Sequence, residues 1–212
     1  GHERTYQAWY GAPLRLLNSG VDSNQTFNPY DYDNEVDDYT QSHYQLHLSH
    51  QLNNNIKLNA AFHYTRGIGY YEQYKGAGQN PLINYYSQES LSDYGLEDVV
   101  TALGDTISET DLIRRRWLDN HFYGLVYSAE YTANKLQVAI GGGANQYIGR
   151  HFGEVIWAEY ASNGSIRHPY YDNNGTKNDA NIYAKVNYKL KSKLDIYVDL
   201  QERFIKYDFL GY

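Results

Sequence analysis

Apolar and polar residues alternate with a period of two in six stretches of this chain, and no other sequence feature restricts its fold as strongly. A β-strand places successive side chains on opposite faces, so each stretch predicts a strand with one apolar and one polar face. The clearest stretch runs from Ile56 to Tyr64, and the others lie near residues 44–48, 123–131, 136–145, 181–188 and 194–201. Helix signals are scarce, because the best stretch, 90–103, does not keep a helical period. The chain is therefore predicted to be all-β.

The connections between these stretches fall into two length classes. Short turns are predicted near residues 52–55, 132–135 and 190–193, loops at about 1–39, 74–110 and 152–178, and hairpins at about 40–72, 111–150 and 179–207. Loops longer than about 12–15 residues are uncommon in compact soluble domains, whereas transmembrane β-barrels combine short turns at one end with long loops at the other. The pattern predicts one antiparallel up-and-down meander of about six strands, a section of a transmembrane β-barrel. Alternation fails near 202–205, which predicts a bulge or the membrane edge there.

The chemistry of the two faces favours a barrel wall. Asn, Gln, Ser, Gly, His and Tyr dominate the polar face rather than Lys and Glu, which suits a hydrated lumen. Tyrosines cluster at the strand ends, as in the interfacial girdles of membrane proteins. The alternative is a soluble extracellular β-sandwich that binds carbohydrate through aromatic loop residues. The two differ in whether one set of side chains faces lipid or a second sheet: Leu46, Leu48, Leu125, Val138, Ile140, Val186, Ile196 and Val198.

Composition excludes several functional classes. The chain has 212 residues, no Cys, and 18 basic against 25 acidic side chains, for a formal charge of −7. The absence of Cys excludes disulfides, zinc–thiolate sites and thiol nucleophiles. The acidic balance, without a basic stripe, argues against a nucleic-acid partner. No catalytic or phosphate-binding motif is present, so we expect no enzymatic activity and no cofactor.

Two histidines form a candidate metal site. If Leu48 pairs with Leu58 in the first hairpin, His43 lies opposite His63 on the polar face. Directly opposed residues have Cβ atoms about 4.5–5.5 Å apart, which is close enough to share a metal ion or to flank haem iron. The alternative is that both are ordinary polar residues of the lumen.

Basic and aromatic residues near the predicted loops are candidate ligand contacts. The run Arg114, Arg115 and Arg116 has the chemistry to bind the carboxylates or catecholates of an anionic chelate; alternatively it balances acidic loops or contacts lipopolysaccharide phosphates. Aromatic side chains in the predicted loops are candidates for stacking on sugars or flat chelates; alternatively they pack on one another. They are Trp9, Tyr10, Tyr85, Tyr86, Trp157, Tyr160, Tyr170 and Tyr171. The acidic segment 31–38 lacks the ligand spacing of an EF-hand and is expected to be a solvated loop.

Five segments resemble parts of the barrels of Bacteroidetes-type TonB-dependent outer-membrane receptors. They are GHERTYQAWYGAP at 1–13, NEVDDY at 34–39, HYQL at 43–46, HYTRGIGYYE at 63–72 and RRWLDN at 115–120. The resemblance implies an outer-membrane barrel of about 22 strands, closed by a plug domain, of which this chain is a middle section. It also implies import of an iron chelate, haem, cobalamin or glycan with energy from the TonB complex. The expected partners are therefore that complex, the plug domain, the ligand and outer-membrane lipid.

Overall fold

The computed structural model describes residues 1–6, 32–76, 88–165 and 167–209. The strands of this part of the chain are β1 (His2–Tyr6), β2 (Val36–Gln51), β3 (Ile56–Lys75), β4 (Glu89–Ser90), β5 (Val99–Val100), β6 (Thr106–Ile107), β7 (Glu109–Thr110), β8 (Leu112–Ala133), β9 (Leu136–Ala158), β10 (His168–Lys191) and β11 (Leu194–Phe209). One 3₁₀ turn spans Leu91–Tyr94. The described residues contain no helix whose length and apolar character would let it traverse a bilayer.

Seven of these strands form one antiparallel sheet in the order β1-β2-β3-β8-β9-β10-β11, while β4 pairs with β7 and β5 with β6. The predicted all-β antiparallel meander is confirmed. All three short turns lie where the alternation predicted them, because β2, β8 and β10 end at Gln51, Ala133 and Lys191.

The predicted loops are shorter than expected. The segment 1–39 contains β1, which adds a seventh strand by pairing with residues 36–40 of β2. The segment 152–178 contains the end of β9 and the start of β10, leaving only 159–167 between the two strands. These residues are rich in Asn, Gly and Tyr and give a weak strand signal. Pairing with neighbouring strands overrides that weak local preference.

The bulge expected near 202–205 is absent, and the pairing of β10 with β11 is regular there. Its irregularity lies at the turn instead, between Lys189 and Lys191. Arg203 faces Asn181 across the strands and donates through Nε to the Asp179 carboxylate at 3.0 Å. Arg203 is on the polar face, so the broken alternation comes from its neighbours. Glu202 lies on the apolar face opposite Ile182, and Ile205 lies on the polar face opposite Asp179.

The chain forms two compact units. The first comprises Gly1–Thr40, Ile68–Leu118 and His151–Asn173; the second comprises Gln41–Gly67, Asp119–Arg150 and Asn174–Tyr212. The first unit has an apolar core. Its buried members are Leu91, Tyr94, Leu96, Leu112 and Val155.

The second unit has one polar and one apolar face. On the polar face Ser49 Oγ donates to Asn59 Oδ1 at 2.9 Å, and Asn59 Nδ2 donates to Ser128 Oγ at 3.2 Å. The apolar side chains on the opposite face are not covered. Eight apolar side chains were expected to face either lipid or a second sheet. Five of them have exposed fractions near one half, namely Leu46 56%, Leu48 52%, Ile140 50%, Ile196 47% and Val198 46%. In the described residues of this unit no apolar side chain is buried, and the only buried apolar residues are glycines.

Gly142 occupies a position in β9 where a side chain has no room. A Cβ atom there would overlap the backbone carbonyl oxygen of Asn181, which cannot move without disturbing the pairing with β10. We expect Gly142→Ala to lower the free energy of unfolding by about 2 kcal/mol. Gly175→Ala is the matched control, because a Cβ there would meet only Phe209 Cβ at 3.8 Å. Equal shifts of the urea midpoint for the two variants would contradict this close approach.

Candidate functional site

The three consecutive arginines lie on β8 in the first unit, and alternation sends them to opposite faces of the strand. Arg114 and Arg116 share one face, and Arg115 takes the other. The structure therefore does not bring the three guanidinium groups together as one anion site. Each guanidinium group has a different set of partners.

Arg115 belongs to a buried ion pair. Its Nε donates to Glu72 Oε2 at 2.7 Å, and its guanidinium carbon lies 4.3 Å from the ring centroid of Tyr70. Glu72 is only 1% exposed, and its Oε1 also accepts from Tyr32 Oη at 2.5 Å and from Asn34 Nδ2 at 2.6 Å. Several hydrogen bonds therefore satisfy the buried carboxylate, so this pair has a structural role.

Arg114 is tied to the apolar core of the first unit. Its Nη1 donates to Tyr94 Oη at 2.7 Å and its Nη2 to Gln73 Oε1 at 3.0 Å. The carboxylate of Glu89 lies 3.9 Å away and is itself 3.5 Å from Lys75 Nζ. Burial, and then the charge of Arg114, lowers the pKa of Lys75.

Arg116 is half-buried, and its partners are phenols. Its Nη1 donates to Tyr71 Oη at 3.1 Å and its Nε to Tyr170 Oη at 3.3 Å. The rings of Tyr170 and Tyr171 pack on Gly153, where a Cβ atom would overlap both. The missing side chain at Gly153 thus allows Tyr170 to reach the guanidinium. Of the predicted ligand-binding residues, the structure brings Arg116, Tyr170 and Tyr171 into one cluster.

The acidic segment 31–38 is not the solvated loop expected over its described part. Val36 begins β2, and Glu35 is fully buried. Glu35 Oε2 accepts the backbone N–H of Tyr74 at 3.3 Å, while Oε1 has no hydrogen-bond partner in the described part of the chain. Burial raises the pKa of Glu35 to about 7. This carboxyl group is therefore a candidate for titration near neutral pH.

The remaining aromatic candidates differ in position. Trp157 is 47% exposed near the end of β9, and Tyr160, just beyond that strand, is 39% exposed. Trp9, Tyr10, Tyr85 and Tyr86 lie outside the described residues.

The observed register of the first hairpin differs from the predicted register, in which Leu48 paired with Leu58 and His43 with His63. Its closing hydrogen bond joins Leu52 N to Ile56 O at 3.0 Å, which shifts the strands by two residues and places Ala60 opposite Leu48. His43 Nδ1 accordingly hydrogen-bonds with Thr65 Oγ1 at 2.9 Å rather than facing His63.

His63 stacks on another ring, with 4.7 Å between its centroid and that of Phe122. In the ranges that the structure describes, no cluster of three or more His, Cys, Asp or Glu has the geometry of a metal site. The proposed pairing of His43 with His63 was wrong, because a two-residue shift separates them while keeping both on the polar face.

An open groove of about 430 Å³ lies in the second unit. Its polar lining consists of neutral amide and hydroxyl groups with one histidine, at His47, Ser49, Asn59, Ser128, Asn181 and Tyr183. Gly143 contributes to the wall without a side chain. Such a surface can hydrogen-bond to water or to uncharged polar groups.

The buried carboxylates Glu35 and Glu72 were not among the predicted site residues. Glu72 did carry a signal in the sequence, because it occupies an even-numbered position of β3, where most side chains of that strand are apolar. Arg115 likewise occupies an odd-numbered position of β8, where most side chains of that strand are apolar. Opposite charges at apolar-phase positions of neighbouring strands indicate a buried pair. For Glu35, which precedes β2, the alternation offered no such signal.

Comparison of the chain with protein-family models, curated proteins and solved structures finds no match.

Proposed function

We propose that this chain is a section of the barrel wall of a TonB-dependent outer-membrane receptor. The supporting observation is the uncovered apolar face of the second unit, where Leu46, Leu48 and Ile140 are each at least half exposed. Exposing apolar area to water costs about 25 cal/mol per Å², whereas contact with lipid removes that cost. A lipid-facing wall therefore explains a face that no second layer covers in the described residues.

Tyrosines border this apolar face. Tyr44 stacks on Tyr64 at a centroid distance of 6.0 Å, and Tyr131 and Tyr188 lie near the short turns. Tyr44, Tyr131 and Tyr188 are all exposed. Rings with an apolar body and a polar tip are enriched where lipid meets water. Their placement supports an apolar band with an interface at each end.

The opposite face supports a hydrated lumen. The groove beside Asn59, Asn181 and Tyr183 presents neutral hydrogen-bonding groups together with glycines and the apolar side chains of Leu48, Ala60, Ala61 and Val126. In the proposed receptor this face lines the interior and meets water and the plug domain. The first unit then carries the ligand contacts. The imported nutrient is an iron chelate, haem, cobalamin or a glycan, the TonB complex supplies the energy, and the chain has no enzymatic role.

The alternative, a soluble carbohydrate-binding sandwich, is favoured by one observation, the exposed rings of Trp157 and Tyr160. It also requires a second sheet over the apolar face. The described residues of the second unit provide no such layer. A glycan that stacks on these rings is equally a ligand of the proposed receptor.

Two neighbouring residues of β9 test the membrane proposal. Because successive side chains point to opposite faces, Ile140→Arg places a charge on the apolar face and Ala139→Arg places it on the polar face. We expect Ile140→Arg to weaken insertion into phosphatidylcholine vesicles by about 2 kcal/mol, and Ala139→Arg to leave it nearly unchanged. Flotation of the purified chain with the vesicles measures the inserted fraction. Full solubility of the unmodified chain without detergent or vesicles would refute the proposal.

A further inference from the structure

The surroundings of Arg116 contain more hydrogen-bond donors than acceptors. A guanidinium has five N–H groups, of which Arg116 uses one for Tyr71 and one for Tyr170. Each phenol oxygen accepts in that bond and keeps its own O–H to donate. Neither hydroxyl has an acceptor among the described residues. Three donor groups therefore meet at one place without an acceptor.

The positive charge of Arg116 is also uncompensated in the described part of the chain. Arg115 lies 2.7 Å from Glu72 and Arg114 lies 3.9 Å from Glu89, but Arg116 forms no salt bridge there. A half-buried cation without a carboxylate partner is unusual, because burying an unpaired charge is costly. This arrangement favours a ligand that brings its own negative charge.

The hydroxyl of Tyr170 remains a donor at neutral pH. Burial raises the pKa of Tyr170, and it raises the pKa of Tyr171 to about 12. Tyr170 also packs against the core of the first unit, with its ring centroid 4.6 Å from that of Tyr94. The hydroxyl of Tyr170 is consequently held in place before a ligand arrives, which lowers the entropic cost of binding.

We propose that Arg116, Tyr71 and Tyr170 form a binding site for an oxyanion, namely a carboxylate or phosphate group. Such a group is an acceptor with negative charge, and guanidinium binds both kinds through charge-assisted hydrogen bonds. Taking this oxyanion as part of the imported nutrient rests on the proposed receptor function. The oxyanion chemistry itself rests on the cluster alone.

The test is binding of citrate and of inorganic phosphate to the purified chain, measured by calorimetry at constant ionic strength. Arg116→Gln removes the charge, and we expect affinity for either anion to fall about tenfold or more. Tyr71→Phe and Tyr170→Phe each remove one hydroxyl, and each is expected to weaken binding by several-fold. Arg167→Gln is the control, because it removes the same charge from an exposed residue of the same unit.

A parallel titration with phosphatidylglycerol vesicles, against phosphatidylcholine vesicles, identifies the source of the oxyanion. A response to citrate or phosphate that Arg116→Gln abolishes supports a soluble ligand. A response only to phosphatidylglycerol, lost in the same variant, supports a lipid headgroup. Equal binding by the unmodified chain and Arg116→Gln, or no binding of any probe, overturns the site.

If Arg116→Gln does not fold, the two Tyr→Phe variants decide, and unchanged affinity in both overturns the site. Vesicle insertion of Ile140→Arg is measured separately, so failure of the oxyanion site and failure of the membrane proposal are distinguishable.

Discussion

Arg115→Gln is expected to lower the free energy of unfolding by about 3–5 kcal/mol. The substitution leaves the carboxylate of Glu72, 1% exposed, without its cationic partner. Removing one member of a buried ion pair is costly because the remaining charge stays desolvated. Trp117 reports the change, since its ring lies 4.6 Å from that of Tyr70, over which Arg115 sits. Urea unfolding followed by tryptophan fluorescence measures the difference.

Two further variants separate burial from charge. Lys185 and Asp199 form a pair at 3.5 Å whose side chains are 46% and 38% exposed, so Lys185→Gln should cost less than about 1 kcal/mol. In the double variant Arg115→Gln/Glu72→Gln no lone charge remains, and we expect recovery of at least half the lost stability. A double variant as unstable as Arg115→Gln alone would show that the unpaired carboxylate is not the cause.

Glu35→Gln is expected to remove a pH dependence of stability. The carboxyl ionises near its ordinary value of 4.5 in the unfolded chain, whereas burial raises its pKa to about 7 in the folded protein. Between these values the unfolded state has lost the proton and the folded state has kept it, so stability falls as pH rises. The total loss is roughly 3 kcal/mol and is complete above pH 7. Below pH 4.5 the loss disappears.

Unfolding free energies at pH 5 and pH 8 measure this effect. The unmodified protein should be less stable at pH 8, and Glu35→Gln should exceed it there by roughly 3 kcal/mol while differing little at pH 5. Glu3→Gln makes the same chemical change at an exposed residue and is the control. A parallel pH response of the unmodified protein and Glu35→Gln would contradict a buried neutral carboxyl group at this position.

The strands and turns were predictable because they depend on local pattern. Alternation identifies which side chains share a face, and turn-forming residues mark the tight connections at Asn53–Asn55, Asn134 and Ser192. Register was not predictable in the same way. A shift of two residues keeps every side chain on its face, so the pattern of β2 and β3 fits several pairings equally.

The choice among these pairings lies in the turn. Asn53 Oδ1 accepts the backbone N–H groups of Asn55 and Ile56 at 2.9 and 3.0 Å, and this places Ile56 opposite Leu52. The alternation does not report such a side-chain contact.

The candidate site was only partly predictable for a related reason. Arg116 and Tyr170 were recognisable by type, but their meeting depends on Gly153, which lies in a third sequence segment. Glu72 and Arg115 are 43 residues apart in sequence and become neighbours only through the pairing of β3 with β8. Chemical type can be predicted from local sequence, whereas the partners come from tertiary structure.

The outer edge of β11 limits how this chain can be placed in the hydrocarbon core of a bilayer. All 16 residues of that strand are exposed, and among the described residues no strand pairs with its outer edge. Water can hydrogen-bond to the unpaired backbone amide and carbonyl groups along such an edge, but acyl chains cannot. Each backbone group left without a hydrogen bond in the bilayer would cost several kcal/mol. In a bilayer, including the vesicles of the insertion test, a further strand must therefore pair along β11, so the membrane proposal also predicts a neighbouring strand or a second copy of the chain at this edge.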